Sequence, residues 1–161
     1  MEIRLAQLSD ADQIAAIYNS EVLESTSTFD LVPRTIEQQR RWLTERSGAH
    51  VVLVADAGGL IVGFASLSPF RSRPAYSTTV ENSIYVHRDH RRRGVAQALM
   101  VSLIEMARNH GFHSMIARIA DAAPASVGLH EASGFELVGV EREVGRKFNR
   151  WLDVAVMQLM L

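Results

Sequence analysis

The sequence predicts an α+β fold: a single domain whose mixed, mainly antiparallel sheet is flanked by helices. Short β-type runs alternate with stretches whose apolar residues recur at helical spacing. These segments follow the order β-α-α-β-β-β-α-β-α-β-β, in which strands often succeed one another directly. The 161 residues, 47% of them hydrophobic, suit one domain spanning 1–161 with a sizeable core, and no repeat or linker interrupts them.

The amino-terminal third is predicted to form one strand and two helices. Residues 2–7 alternate as a short strand does. Ser9 is expected to cap the first helix, because two carboxylates follow in the turn where the helix dipole favours them. A loop at 24–33, rich in Ser and Thr, precedes a second helix at 35–46, which Gly48 ends.

The middle of the chain is predicted to contain a hairpin, a strand and the longest helix. Apolar runs at 51–55 and 61–65 flank a segment with two glycines, which predicts a hairpin. Residues 79–86 alternate between two faces and predict another strand. The apolar spacing that follows predicts a helix from Val95 that ends at Gly111.

The carboxyl-terminal third is predicted to contain a strand at 115–120 and a short helix at 125–133 that is closed by Gly134. Two further strands are expected at 135–144 and 152–160. These segments complete the proposed order of elements.

Composition excludes several kinds of site. The chain has no cysteine, which excludes disulfides, thiolate zinc sites, iron–sulfur clusters and a cysteine nucleophile. His87 and His90 have a spacing that metals can use, but no third ligand is identifiable, so no metal is expected. The amino terminus shows no export signal and no run approaches about 18 apolar residues. We therefore expect a cytoplasmic protein without a membrane partner.

Positive charge is concentrated in one short segment. Residues 87–93 hold four arginines and one aspartate, a net charge of +3, whereas the whole chain carries −1. A chain that is mildly acidic elsewhere is a poor general binder of nucleic acid, although an arginine run alone leaves such a module as a distant alternative. A single polyanionic ligand fits this pattern better.

The sequence 91–96, Arg-Arg-Arg-Gly-Val-Ala, opens the longest predicted helix and describes an anion site. Backbone N–H groups at a helix amino terminus point outward, and Gly94 and Ala96 leave room for a phosphate to approach. The segment is neither a P-loop nor a dinucleotide fingerprint, because it lacks GK[ST] and GxGxxG. The alternative is a charged surface turn that contacts only solvent.

This segment resembles the pyrophosphate signature of the GNAT superfamily of acetyl-CoA-dependent N-acetyltransferases: Gln or Arg, two variable residues, Gly, one variable residue, then Gly or Ala. The chain is most similar to the branch of phosphinothricin and methionine sulfoximine acetyltransferases. The segments that carry this resemblance are 17–19, 27–29, 79–86, 129–131 with 134–135, and 144–148 with 150–153.

The resemblance implies the GNAT fold and acetyl-CoA as the cofactor. Backbone groups of Ile84, Tyr85 and Val86 are expected to pair with the pantetheine arm, and the helix start to hold the pyrophosphate. The full set expected to bind the cofactor is Ile84, Tyr85, Val86, Arg91, Arg92, Arg93, Gly94, Val95, Ala96, Gln97 and Ser126.

Two catalytic residues are implied by the same resemblance. Glu81 matches the general base, which would act through water on a protonated amine. His130 occupies the position near the departing sulfur, where an imidazole could protonate a thiolate. A salt-bridged structural Glu81 and a hydrogen-bonded helix His130 are the alternatives. Without a cysteine, acetyl transfer is expected to be direct, in a ternary complex.

The acceptor is expected to be a small amino-acid-like primary amine, such as phosphinothricin or methionine sulfoximine. The resemblance implies that arginines of the loop before the Glu81 strand contact the acid group of the acceptor, and Arg71, with Arg73 second, is the expected counterpart. An arginine fork suits this role because it can hold two oxygens, although both could also be ordinary loop residues. Asn82 and Ser83 would line the amino-acid pocket, and Phe29 would form part of its apolar wall.

One residue departs from the family pattern. Ala123 stands where the family often has an asparagine that binds the cofactor arm, so binding weaker by about 0.5–1.5 kcal/mol is expected. A non-catalytic acetyl-CoA sensor is therefore an alternative, as is an acetyltransferase for a polyamine, an aminoglycoside or a protein N-terminus. A homodimer is expected from the resemblance, with Phe148 and Trp151 as packing or subunit-contact residues.

Overall fold

The computed structural model describes residues 1–46 and 48–161 and confirms the α+β prediction. Its strands are β1 (Glu2–Leu5), β2 (Val52–Asp56), β3 (Ile61–Pro69), β4 (Thr79–Val86), β5 (Ser114–Ala120), β6 (Glu136–Lys147) and β7 (Arg150–Met160). Its helices are α1 (Ala11–Glu24), α2 (Ile36–Glu45), α3 (Val95–Asn109) and α4 (Pro124–Ala132). Within the described residues, the strands form one sheet in the order β1-β2-β3-β4-β5-β7-β6, in which only the β4–β5 pair is parallel.

Helices cover both faces of the sheet. Leu99 and Leu103 of α3 are fully buried with Leu67 of β3 on one face. On the other face, Ile14 of α1 is fully buried in a cluster with Phe64 of β3. Burying side chains of this size removes apolar surface from water on both faces, which stabilises the layered arrangement.

The parallel pair at the centre of the sheet separates part-way along. Strand β4 is paired with β3 from Val80 to Val86, but its pairing with β5 ends where Glu81 faces Ile116. From Asn82 onward, one edge of β4 therefore has backbone groups that β5 does not satisfy. The two strands diverge and open a cleft in the sheet.

Two predictions of where helices and strands begin or end were wrong. Ser9 does not cap α1: it lies in a 3₁₀ turn, Leu8–Asp10, that is held because Asp10 pairs with Arg4 at 2.8 Å. Strands β6 and β7 extend further toward each other than predicted and are joined through only Phe148 and Asn149, both at positive φ. Such a two-residue turn matches the twist of the strands, but Phe-Asn lacks the glycine that usually marks it.

Candidate functional site

The cleft between β4 and β5 has a volume of about 650 Å³. Its walls are the open part of β4, the facing part of β5, the turn that enters α3, and α4. The site residues predicted from sequence that line it are Asn82, Ser83, Ile84, Tyr85, Val86, Arg91, Arg92, Gly94, Val95, Ala96, Gln97, Ser126 and His130. Glu81, Arg93, Phe29, Arg71 and Arg73 lie outside this lining.

One end of the cleft presents backbone donors that an anion can accept hydrogen bonds from. Gly94 caps α3 in the left-handed conformation with φ of 78°, and no side chain caps the helix. The N–H groups of the first helical turn, at Val95, Ala96 and Gln97, therefore have no partner within the helix. Arg92 also has positive φ, at 57°, which bends the backbone into a concave turn. Partial positive charge of the helix and exposed donors coincide here.

A buried carboxylate that the sequence analysis missed holds this turn. Glu21 of α1 lines the cleft, and its side chain is only 3% exposed. Its Oε1 lies 2.5 Å from Nη2 of Arg91, and its Oε2 accepts a hydrogen bond of 2.6 Å from Ser25. Neighbouring Glu24 pairs with Arg88 of the same turn. The spacing of the two glutamates on one face of α1 was the available signal.

The open edge of β4 forms the long wall of the cleft. Ile84, Tyr85 and Val86 line it, and their backbones are paired on the other side with β3. An extended ligand with amide groups can therefore add to this edge as another strand would.

His130 of α4 lines the cleft and is held in place by two hydrogen bonds. Its Nδ1 lies 2.7 Å from the carbonyl oxygen of Ser126, which can only accept, so Nδ1 carries the hydrogen. Nε2 therefore accepts the hydrogen bond of 3.0 Å from Nδ2 of Asn82. Burial lowers the pKa of His130, so the imidazole is neutral near pH 7.

Glu81 occupies the last position where β4 is still paired with β5. Because successive side chains of a strand alternate, its carboxylate lies on the face opposite to Asn82 and His130. Burial raises the pKa of Glu81, the positive charge of Arg118 lowers it, and the negative charge of Glu141 raises it further. Arg118 lines the cleft and forms hydrogen bonds of 2.5 and 3.0 Å to Glu141. Neither Arg118 nor Glu141 was predicted.

The three predicted acceptor residues outside the cleft lining have other neighbours. Phe29 packs on Gly145 of β6 so tightly that a Cβ there would lie 2.3 Å from the Phe29 ring. Arg71 is exposed, and its guanidinium lies 5.0 Å from the centre of the Phe70 ring. Arg73 is exposed at the start of the 3₁₀ turn Pro74–Tyr76. The structure therefore does not bring Arg71 or Arg73 to the β4–β5 opening.

Residues 24–30 are fastened to the sheet by the only lysine of the chain. Lys147 of β6 is 3% exposed, and its ammonium donates to the carbonyl oxygen of Thr28 at 2.9 Å and approaches that of Glu21 at 3.5 Å. Burial lowers the pKa of Lys147, and the nearby carboxylates of Asp30 and Glu21 oppose that shift. Phe29 is thereby held beside β6.

Ala123 stands immediately before α4 and lines the cleft. It provides no side-chain hydrogen bond to the amino terminus of α4, so that helix presents an uncapped end to the cleft. Within residues 1–46 and 48–161, no group of three or more His, Asp or Glu side chains could hold a metal ion. The same residues include no helix long and apolar enough to cross a membrane.

Comparison with known proteins identifies this architecture. Residues 3–156 match the family described as the acetyltransferase (GNAT) domain. The chain belongs to the GNAT acetyltransferase family. This confirms the resemblance inferred from the arginine-glycine signature, and it makes the chain an acetyl-CoA-dependent acetyltransferase by family.

Individual relatives agree in sequence and in fold. A L-methionine sulfoximine/L-methionine sulfone acetyltransferase from Pseudomonas paraeruginosa is 39% identical over 161 residues, which are 99% of this chain and 94% of the relative. A crystal structure of a phosphinothricin acetyltransferase from Sinorhizobium meliloti in complex with AcCoA superimposes with a TM-score of 0.96 at 37% identity, covering 99% of this chain and 88% of that one. The crystal structure of ribosomal-protein-alanine N-acetyltransferase from Brucella melitensis superimposes with a TM-score of 0.97 at 37% identity, covering 100% of both chains.

Proposed function

We propose that this protein transfers the acetyl group of acetyl-CoA directly to the primary amine of a small amino-acid-like acceptor, such as methionine sulfoximine or phosphinothricin. The observation that carries the proposal is the opening of β4 from β5, which joins an anion-binding helix start to an unpaired strand edge. The names of relatives that cover nearly the whole chain supply the acceptor class.

The proposed cofactor position follows from the two ends of the cleft. The pyrophosphate is held by N–H groups of Val95, Ala96 and Gln97, with Arg92 and Arg93 nearby. Among the residues that the structure describes, neither arginine is engaged in an ion pair. The pantetheine arm extends along the edge of β4, which directs the thioester toward the point where the strands meet.

Glu81 lies at that meeting point and is our proposed general base. A carboxylate with a raised pKa is a stronger base, and it takes a proton from the amine through a water molecule. The amine nitrogen then forms a bond to the thioester carbonyl carbon, and a backbone N–H of β4 stabilises the oxyanion. When the tetrahedral intermediate collapses, the carbon–sulfur bond breaks and the thiolate of CoA leaves.

His130 is proposed to protonate the departing thiolate. In the structure Nε2 accepts a hydrogen bond from Asn82, so the ring must first take up a proton there. That proton comes from the nitrogen of the tetrahedral intermediate, which loses its second proton as the amide forms. Nε2 then passes the proton to the thiolate, which leaves as the thiol of CoA, and the imidazole returns to its neutral form. Asn82 and Ser83 line the acceptor side, and Phe29, Arg71 and Arg73 remain predicted acceptor contacts.

Replacing Glu81 by Gln tests the role of the base. The variant keeps the size of the side chain but cannot accept a proton, so we expect kcat to fall by about 10²–10⁴-fold while acetyl-CoA binding is kept. In the wild type, kcat/KM should fall as pH drops through the pKa of Glu81, a limb that E81Q lacks. Loss of acetyl-CoA binding together with turnover would instead assign Glu81 a structural role.

The Brucella melitensis structure favours a second acceptor, the N-terminal alanine of a protein. The two acceptors are distinguished by the kcat/KM values for methionine sulfoximine and for a peptide with N-terminal alanine. A higher value for the peptide would replace our acceptor class and keep the cofactor chemistry.

We also propose that the protein is a cytoplasmic homodimer. Apolar side chains are exposed along β6 and β7, where Val138 is 62%, Val144 is 54% and Trp151 is 59% exposed. Apolar residues concentrated at one edge of the sheet suit contact with a second copy. Sedimentation equilibrium measures this directly, and a monomer at micromolar concentration would contradict it.

A further inference from the structure

Arg46, which follows α2 directly, has an unusual environment for a surface cation. Its guanidinium carbon lies 4.1 Å from the centre of the Trp42 ring, and its Nη2 donates a hydrogen bond of 3.0 Å to Oγ of Ser68. Its Nε is buried and has no hydrogen-bond partner among the described residues. The side chain is therefore fixed by its neighbours while one of its donors is unused.

No anion of the described part of the chain neutralises this charge. None of the ion pairs found there involves Arg46. A second guanidinium, that of Arg34, lies 5.2 Å from the same Trp42 ring. Burial and the positive charge of Arg34 lower the pKa of Arg46. The negative charge of Glu45 raises it, but this is the smallest of the three effects. A half-buried cation with a free donor carries a desolvation cost that an external anion would offset.

The partner of Arg46 places it close to the proposed base. Ser68 of β3 is directly opposite Glu81 of β4, so the two side chains lie on the same face of the sheet. Arg46 is thus bound to the residue adjacent to Glu81 across the strands. No ion pair joins Arg46 to Glu81 within residues 1–46 and 48–161, so neither side chain neutralises the other.

We propose that Arg46 binds the α-carboxylate of the acceptor and thereby selects amino acids over amines that lack this group. The inference rests on the proposed function, since it uses Glu81 as the site of the amine. In an α-amino acid, the amino and carboxyl groups are attached to one carbon, so an amine that reaches Glu81 brings its carboxylate toward Arg46.

The test compares methionine sulfoximine with its α-carboxamide in the wild type and in R46M. The wild type should acetylate the acid with the higher kcat/KM. In R46M, kcat/KM for the acid should fall by about tenfold or more, whereas that for the carboxamide should hardly change. R46K, which keeps charge but loses the planar fork, should give an intermediate ratio. Arg41 is exposed on the same helix, so R41M serves as the matched control.

Equal acid-to-carboxamide ratios in the wild type and R46M would overturn the inference, as would a loss of acid preference in R71M alone. If its Tm shows that R46M is unfolded, the acid-to-carboxamide ratio of kcat/KM in R46K decides between these outcomes instead. If the wild type releases no thiol with either compound, the proposed function fails. In that case the role of Arg46 is tested by binding alone. The acid should raise the Tm of the wild type more than the carboxamide does, and this difference should be absent in R46K.

Discussion

Replacing Gly94 by Ala tests whether the start of α3 is the phosphate site, and Gly111 at the other end of the helix offers a matched control. Both glycines have φ of 78°, and a Cβ added to either would meet no atom within 4 Å. An L residue in this left-handed region costs about 1–2 kcal/mol. For a chain of this size, each kcal/mol lowers the Tm by about 2–4 °C. Both variants should therefore melt about 2–8 °C below the wild type.

Acetyl-CoA binding should separate the two variants. At Gly94, a methyl group occupies space open to a phosphate, or relaxation of φ turns the first N–H groups of α3 away from it. Loss of one hydrogen bond to a charged group, about 1.5–3 kcal/mol, weakens binding by about 10- to 150-fold. G111A should bind as the wild type does.

Isothermal titration of acetyl-CoA into the three proteins, well below their Tm values, gives the Kd of each. If G94A and G111A melt alike and also bind acetyl-CoA with the wild-type Kd, the start of α3 is not the phosphate site. Weakened binding in both variants would attribute the effect to general destabilisation.

Two further predictions concern the acceptor side and pH. G145A forces the Phe29 ring away from β6, because the new Cβ would lie 2.3 Å from it. We expect this variant to have a higher KM for the acceptor and an unchanged Kd for acetyl-CoA. G139A is the neutral control, because its Cβ would meet nothing within 4 Å. The buried His130 has a lowered pKa, so the unfolded chain takes up its proton first, and the free energy of unfolding should decline as pH falls below about 6.5. Urea unfolding at about pH 7.5 and about pH 5.5 should show a smaller decline for H130Q, and an equal decline would contradict this account.

Local sequence patterns were enough to predict the helix start that we propose as the anion site. Arg91, Gly94 and Ala96 lie within six consecutive residues, and the meaning of their spacing depends only on the start of the helix that follows. The alternation of 79–86 likewise predicted strand β4 with its observed bounds. The order of strands and helices followed from such local signals, and the family resemblance then supplied the fold.

Contacts between distant parts of the chain could not be predicted in the same way. Glu21 and Arg91 are 70 positions apart, and Asn82 and His130 are 48 apart. Their pairing depends on how α1 and α4 pack against the sheet, which no short segment encodes. Arg46 gave no sequence signal, because its free donor is a property of its burial. The acceptor side that we propose depends on such contacts, so local sequence patterns could not define it.

The central claim is that the β4–β5 opening transfers acetyl groups to an amino-acid amine, and its most direct test is a single assay. Purified protein is mixed with acetyl-CoA and methionine sulfoximine, and free thiol and N-acetylated product are measured together. Both should form in equal amounts, at a rate that E81Q reduces by about 10²–10⁴-fold. Tight acetyl-CoA binding without release of thiol, for this acceptor and for a panel of other primary amines, would contradict it and indicate a cofactor sensor.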